Sequence, residues 1–190
     1  WLLLRPQVYE KHPYRWATIG KEVKHIEEAT LEEVKAFFAK HYSPQNAIMC
    51  VAGNVSVEQV KKLAQKWFGP IPAGNKYERE LPAEPVQQEE RFQHVDRNVP
   101  FDSVYKAFHM EGRRSDDYYV GDLTSDLLSR GKSARLYNRL VKEKQLFGEI
   151  NAYITGEIET GLFVAQGKLA QGVAIEEAEQ ALEEELWKLK

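Results

Sequence analysis

A proline-rich and charged stretch, residues 70–90, divides the 190-residue chain into two segments. It holds four of the eight prolines, and no hydrophobic period of a helix or strand continues through it. Proline lacks a backbone donor and fixes φ, so such a stretch neither continues a helix nor sits inside a sheet. We therefore predict a domain part at residues 1–70, a linker at 71–90 and a second domain at 91–190.

Two capping boxes predict two amphipathic helices in the first segment. Thr30 precedes Glu33 by three positions, and Ser56 precedes Gln59 in the same way, which is the pattern that satisfies free amides at a helix start. The apolar residues that follow fall on one helical face in each case. The faces predicted to be buried are Leu31, Val34, Phe37, Phe38 and His41 in the first helix, and Val60, Leu63, Ala64, Trp67 and Phe68 in the second.

The short apolar run between these helices, residues 46–52, predicts a buried strand. It contains Cys50, the single cysteine of the chain, which has no internal disulfide partner. A cysteine inside an apolar strand is typical of an inert core thiol. We therefore expect Cys50 to be buried.

The second segment has the pattern β-β-α-α-β-β-α, which predicts an α+β fold: an antiparallel sheet with helices on one face. The predicted strands are residues 91–96, 103–110, 148–155 and 161–169; the predicted helices run from Ser115 to Ser129, around Leu136, Leu140 and Val141, and from Val173 onward. The side chains expected to face inward are Tyr119, Val120, Leu123, Leu127 and Leu128, and, in the last helix, Ile175, Ala178, Leu182, Leu186 and Leu189.

Composition excludes several function classes. A net charge of −3, a pI near 6.0 and the lack of an arginine-rich block give no electrostatic reason to bind nucleic acid. The apolar runs are too short to span a membrane. The chain begins at Trp1 without a signal-peptide pattern, and we expect it to be an internal part of a longer protein. Nothing in the sequence indicates a compartment.

The histidines do not form a metal-binding pattern. A helical zinc site needs two histidines one turn apart together with a third ligand. The five histidines, His12, His25, His41, His94 and His109, are followed four positions later by Trp16, Ala29, Gln45, Asn98 and Arg113. His25 and Glu28 are expected to be a surface pair, and His41 a partly buried structural residue. We therefore assign no catalytic, cofactor-binding or metal-binding residue in this chain.

Two motifs of other catalytic classes are also rejected. No Gly-x-Ser-x-Gly sequence of a serine hydrolase occurs. Gly131-Lys132-Ser133 resembles the end of a phosphate-binding loop, but Asp126 stands where the first glycine is needed, and a helix precedes it instead of a strand. We interpret Gly131 as a helix stop.

An ordered set of stretches resembles the M16 zinc metallopeptidases, the family of insulinase, pitrilysin and the mitochondrial processing peptidases. The stretches are His12-Pro13-Tyr14-Arg15-Trp16, Ala29-Thr30-Leu31-Glu32-Glu33-Val34, Tyr42-Ser43-Pro44-Gln45-Asn46-Ala47, Val51-Ala52-Gly53-Asn54-Val55, Trp67-Phe68-Gly69-Pro70-Ile71-Pro72 and Ser133-Ala134-Arg135-Leu136-Tyr137. They cover nearly the whole chain in the family's order.

The resemblance implies the processing-peptidase-like metallohydrolase fold, with the C-terminal part of a first domain followed by a second domain that is truncated at its C-terminus. The family's His-x-x-Glu-His zinc motif lies upstream of the stretch that resembles residues 12–20. The implied cofactor is therefore zinc in the parent protein and none in this chain. The implied partners are the remainder of the parent, its second M16 half and a peptide substrate; self-association of this chain is a further expectation.

One departure from the family indicates which half the chain resembles. The half that lacks zinc often carries an arginine and a tyrosine seven positions apart, which hold the substrate near the metal. Val141 and Gly148 occupy those positions here. The chain therefore fits the zinc-bearing half, as the non-catalytic structural and substrate-chamber portion of a metalloendopeptidase. A degenerate, inactive homologue that acts as a binding or scaffold subunit is the alternative, and a binding module unrelated to proteolysis is a third.

Overall fold

The computed structural model describes residues 1–189, and these fold as two compact units. One unit combines Trp1–Lys11 with the chain from Glu84 onward, and the other is His12–Ala83. The predicted boundaries of the two family domains, with a linker at residues 71–90, are a different division of the chain from these compact units, and they stay a prediction. No helix in residues 1–189 is long and apolar enough to cross a membrane.

The larger unit contains a three-stranded antiparallel sheet in the described part of the chain. Its strands are β1 (Ser103–Met110), β2 (Phe147–Ile154) and β3 (Gly161–Leu169), in the spatial order β1-β3-β2. The long strand β3 lies in the centre because both of its neighbours pair with it. The predicted α+β class with an antiparallel sheet is confirmed, and these three strands lie within one residue of their predicted positions.

Two helices and a π-helical segment cover one face of this sheet. They are α5 (Asp117–Ser129), the π-helical segment Tyr137–Glu143 and α6 (Ile175–Trp187). The core between them and the sheet is almost entirely aliphatic, so its stability derives from removing apolar surface from water. Its buried residues include Val104, Leu128, Leu136, Leu140, Ile150, Ala152, Ala165, Leu169, Ala178 and Leu182.

The short helix α1 (Leu4–Val8) packs on the opposite face of the sheet. His109 of β1 lies 2.7 Å, through its Nε2 atom, from the carbonyl oxygen of Val8. The hydroxyl of the fully buried Tyr9 donates to the carbonyl of Thr160 at 3.0 Å. These bonds join the first residues of the chain to the edge strand β1 and to the turn that precedes the central strand β3.

The prediction of a strand at residues 91–96 is wrong. Arg91 instead donates to the carbonyl oxygen of Gln7 at 2.9 Å and forms an ion pair with Glu10, while His94 turns toward Asp96 at 3.2 Å. The side chains of this stretch therefore bind the N-terminal segment and each other, and its backbone pairs with no strand in the described residues.

The predicted inward face of α5 is also wrong, apart from Leu128. Tyr119, Val120, Leu123 and Leu127 are exposed, whereas Leu128 is fully buried. The helix lies on the sheet through small residues, because a Cβ atom at Gly121 would come within 2.7 Å of the Met110 side chain. In α6 the prediction holds for Ala178 and Leu182, which are fully buried.

The smaller unit consists of α2 (Lys24–Glu27), α3 (Leu31–His41) and α4 (Val57–Trp67), with 3₁₀ turns at Pro13–Arg15 and Pro44–Asn46. Both predicted capping boxes are present. The amide of Glu33 donates to Oγ1 of Thr30 at 3.2 Å, and the amide of Gln59 donates to Oγ of Ser56 at 3.2 Å. Local sequence is therefore sufficient to place both helix starts.

The side chain of Asn46 connects the end of α3 with the extended segment at residues 75–77. Its Oδ1 atom accepts from the amide of Tyr77 at 2.7 Å, and its Nδ2 atom donates to the carbonyls of Lys40 and Asn75 at 3.2 and 3.3 Å. One side chain thus satisfies backbone groups at a helix end and in the following extended segment.

Candidate functional site

The apolar run between α3 and α4 is uncovered. Residues 47–52 have no regular secondary structure, and no strand within residues 1–189 pairs with them. Ile48 is 94% exposed, and Met49 and Val51 are about half exposed. The predictions of a buried strand here and of a buried Cys50 are therefore wrong, since Cys50 is exposed.

The apolar face of α3 is exposed as well, and its aromatic side chains pack mainly on each other. Phe37 lies 4.5 Å from the ring of His41, and Phe38 stacks on Tyr42 at 4.6 Å. The ring of His41 also meets Tyr77 edge-on at 4.6 Å, and His41 is half-buried, as expected for a structural histidine. These contacts leave more than half of each phenylalanine side chain exposed.

Helix α4 has no buried residue, although its sequence has a clear apolar face. We call the exposed apolar side chains of this unit the uncovered set: Leu31, Val34, Phe37, Phe38, Ile48, Met49, Val51, Leu63 and Trp67. Apolar surface costs about 25 cal/mol for each Å² left in water, and large exposed apolar patches mark interaction sites. A β-like apolar run next to two amphipathic helices is typical of a domain part that packs on further structure.

Cys50 provides a direct measurement of this exposure. Its thiol should react with a chromogenic disulfide reagent in the native protein, at a rate close to that of the urea-unfolded chain, because Cys50 is exposed. One thiol per chain should react without denaturant. A thiol that reacts only after unfolding would show that residues 47–52 are covered in solution.

The histidines lie apart from one another and have separate roles. His12 is buried, and its Nδ1 atom accepts from the amide of Tyr14 at 3.2 Å. Glu28 pairs with Lys24 at 3.4 Å, so the expected pair of His25 with Glu28 is replaced by a lysine contact one turn away. No group of three histidine, cysteine or carboxylate side chains in residues 1–189 could hold a metal ion.

Comparison with known proteins identifies the family. The model of the Peptidase M16 inactive domain matches residues 28–190, which is most of the chain. The chain belongs to the M16 peptidase family, as an inactive domain. The resemblance seen in the sequence is thereby confirmed.

Several relatives show how much of a full-length protein the chain corresponds to. It is 33% identical over 143 residues to the zinc protease PqqE of Helicobacter pylori, which covers 73% of this chain and 32% of that protein. A probable β subunit of the mitochondrial processing peptidase from Schizosaccharomyces pombe is 24% identical over 171 residues, covering 84% of this chain and 37% of the subunit. The chain thus spans about a third of these curated relatives.

Solved structures match the fold. The crystal structure of a protease from Helicobacter pylori has a TM-score of 0.76 and 28% identity, and the match covers 98% of this chain and 45% of that one. A peptidase M16 inactive domain from Pseudomonas fluorescens also has a TM-score of 0.76, at 23% identity, over 96% of this chain and 45% of that one.

Within residues 1–189 of this M16 inactive domain, the histidine, cysteine and carboxylate groups do not converge in a way that fits a zinc ion. The two positions at which the zinc-free half often has its arginine and tyrosine also have different surroundings. Val141 packs partly buried against the aliphatic core, whereas a Cβ atom at Gly148 would meet open space. A tyrosine would therefore fit at Gly148, but the π-helical position of Val141 is used for packing.

The outer side of α5 is a candidate surface that was not predicted from the sequence. All the large apolar residues of this helix were predicted to face inward, as one buried face. The signal that could have indicated the outer side is the width of the apolar arc in α5. From Tyr119 through Leu128 it extends about halfway round the helix at ~100° per residue, which is wider than one buried stripe requires.

Proposed function

We propose that this chain is the non-catalytic structural and substrate-chamber portion of an M16 zinc metalloendopeptidase. The uncovered set in His12–Ala83 packs against the part of the parent that carries the zinc motif, and the sheet unit provides a second domain that walls the substrate chamber. Zinc and the groups that activate water belong to the upstream part. The residues of this chain provide packing and hold their neighbours in position.

The exposure of residues 47–52 is the observation that carries this proposal. An apolar backbone segment outside regular secondary structure leaves its amide and carbonyl groups without ladder partners, and it is available for pairing with another strand. The flanking helices α3 and α4 expose their apolar faces in the same unit, so a sheet that pairs with this run also offers a surface for both helices. One docking event then buries a strand and two helix faces together.

The resemblance of the chain to zinc-protease relatives supports the same assignment. The name of the Helicobacter pylori relative states that it is a zinc protease. The chain spans only about a third of that relative, which leaves room for a zinc-bearing part elsewhere in a parent of similar length. The absence of the arginine and tyrosine at Val141 and Gly148 favours the zinc-bearing half.

Reconstitution from two polypeptides tests the proposal. The upstream part of the parent, produced separately, should show zinc-dependent cleavage of a fluorogenic peptide only after this chain is added. Ile48→Asp should weaken the association by ~100-fold or more, because burying an unpaired carboxylate costs several kcal/mol. Val86→Asp is the matched control, since Val86 is 81% exposed and lies outside the uncovered set.

The outcomes separate the alternatives. Protection of Cys50 from the thiol reagent on mixing, together with cleavage, supports the complete proposal. Protection of Cys50 without cleavage, with an upstream part that lacks His-x-x-Glu-His, favours the degenerate binding subunit. An upstream part that is fully active alone, or Cys50 reactivity that is unchanged on mixing, contradicts the structural role.

A further inference from the structure

Helix α5 has apolar side chains on two opposite sides. The side toward the sheet is formed by Gly121, Ser125 and Leu128, of which the last two are buried. We call the other side the outer face of α5: Tyr119, Val120, Leu123 and Leu127, which are 61–71% exposed. At ~100° per residue the two sides point in nearly opposite directions. The outer face is therefore a second packing surface that no residue of its own unit covers within the described part of the chain.

The outer face of α5 has acidic edges. Asp122 and Asp126 lie along one edge and Asp117 along the other, and the helix Asp117–Ser129 contains no basic residue. Asp126 pairs with Arg130 just beyond the helix end, at 2.6 Å. Carboxylates beside an apolar stripe favour a partner with the reverse pattern, an apolar stripe with basic edges.

Helix α4 of the same chain has that reverse pattern. We call Val57, Val60, Leu63, Ala64 and Trp67 the apolar face of α4; Val57, Leu63 and Trp67 are more than half exposed. On a helical projection Lys61 lies at one edge of this face and Lys66 at the other. The ammonium group of Lys66 lies 4.8 Å from the centre of the Trp67 ring, so the charge is held beside the stripe. The edge charges are thus opposite to those of α5.

We propose that two copies of this chain associate by packing the apolar face of α4 of one copy against the outer face of α5 of the other. Pairing α5 with α5 would bring carboxylates together, and pairing α4 with α4 would bring lysines together, so charge favours the unlike pair. The two helices have similar lengths, 11 and 13 residues, and present stripes that can interdigitate along the whole contact.

Each copy carries both helices, so every copy offers an apolar face with basic edges and one with acidic edges to a second copy. Leu63 and Trp67 also belong to the uncovered set, so this contact between copies concerns the chain when its upstream part is not bound.

Light scattering on the full chain is the first test. The wild-type protein should be a dimer that dissociates on dilution, and Leu123→Asp and Leu63→Asp should each raise the dissociation constant ~10-fold or more, since each removes an apolar contact and adds an unpaired charge. Both leucines are exposed, so circular dichroism should show an unchanged fold. Val86→Asp is the control and should remain a dimer. A monomeric wild type, or a dimer unaffected by either leucine variant, overturns the proposal.

Charge reversal is the second test and identifies the pairing. One variant carries Asp122→Lys and Asp126→Lys, and the other carries Lys61→Glu and Lys66→Glu. Each variant alone places like charges at the contact between α4 and α5 and should be monomeric, whereas the two mixed should associate because their edge charges are complementary. If α4 and α5 met within one chain, mixing would restore nothing. Failure of the mixture to associate would therefore overturn the proposed contact between copies.

Discussion

Replacing Leu128 with alanine should lower the free energy of unfolding by about 2–5 kcal/mol. Leu128 is fully buried, with a solvent-accessible fraction of 0%. It belongs to the aliphatic cluster between α5, the π-helical segment and the sheet. Truncation removes buried methyl groups and leaves a cavity that the surrounding strands fill only in part. Urea unfolding followed by circular dichroism measures the loss.

Leu123→Ala is the matched control for this experiment, because it makes the same chemical change in the same helix. Leu123 is 71% exposed, so its truncation should change the stability of the monomer little. The comparison should be made at a concentration at which the chain is monomeric, since Leu123 belongs to the outer face of α5. Equal losses for the two leucines would contradict the orientation of α5 described above.

Removing Arg135 should produce the second large loss, about 1.5–3 kcal/mol, the range for a hydrogen bond to a charged group. Glu185 of α6 is only 2% exposed, and its two carboxylate oxygens accept from Arg135 Nε at 3.1 Å and from Lys188 Nζ at 2.5 Å. Arg135→Ala leaves this buried carboxylate with Lys188 alone. Breaking one side of a buried ion pair is costly because the remaining charge keeps its desolvation penalty.

The loss in Arg135→Ala should depend on pH in a defined direction. Burial opposes ionisation of Glu185, but hydrogen bonds and charges from Lys188 and Arg135 outweigh it and hold its pKa below the ordinary value of 4.5. A folded-state pKa below the unfolded one contributes stability above pH 4.5 that is lost as the pH falls through the folded-state pKa. Without Arg135 the folded-state pKa rises, so this loss should begin at a higher pH.

Unfolding at about pH 7 and about pH 3 measures this effect, because the difference between wild type and Arg135→Ala should shrink at the lower pH, where Glu185 is protonated more fully. Arg130→Ala is the control: Arg130 pairs with Asp126 at 2.6 Å on the surface, where solvent screens the pair, and its loss should change stability little at either pH. A difference that is constant with pH would argue against ionised Glu185 as the group that Arg135 stabilises.

Helix starts, the central strands and the family could be predicted from the sequence because each depends on neighbouring residues. The hydroxyls of Thr30 and Ser56 bind amides three positions away, so local order is sufficient to place α3 and α4. The strand Gly161–Leu169 was predicted at its observed bounds, since alternation and flanking turns are also local features. The absence of a histidine pair at helical spacing is likewise visible in the sequence alone.

The surroundings of those elements were decided only by tertiary structure. Apolar periodicity shows that a face of a helix or a strand will be buried in the mature assembly, but it does not show whether the covering residues belong to the same chain. Residues 47–52, Cys50 and the faces of α3 and α4 were predicted to be core and are exposed, because no strand within residues 1–189 pairs with that run.

Residues 91–96 likewise alternate, yet Arg91 binds Gln7 and Glu10 instead of joining the sheet. In α5 the close approach of Gly121 to Met110 places the side of the helix with small residues against the sheet. The side with the large apolar residues therefore points outward. The periodicity of apolar residues is a property of one segment. Its burial depends on which other segments pack against it, and only the folded chain determines that.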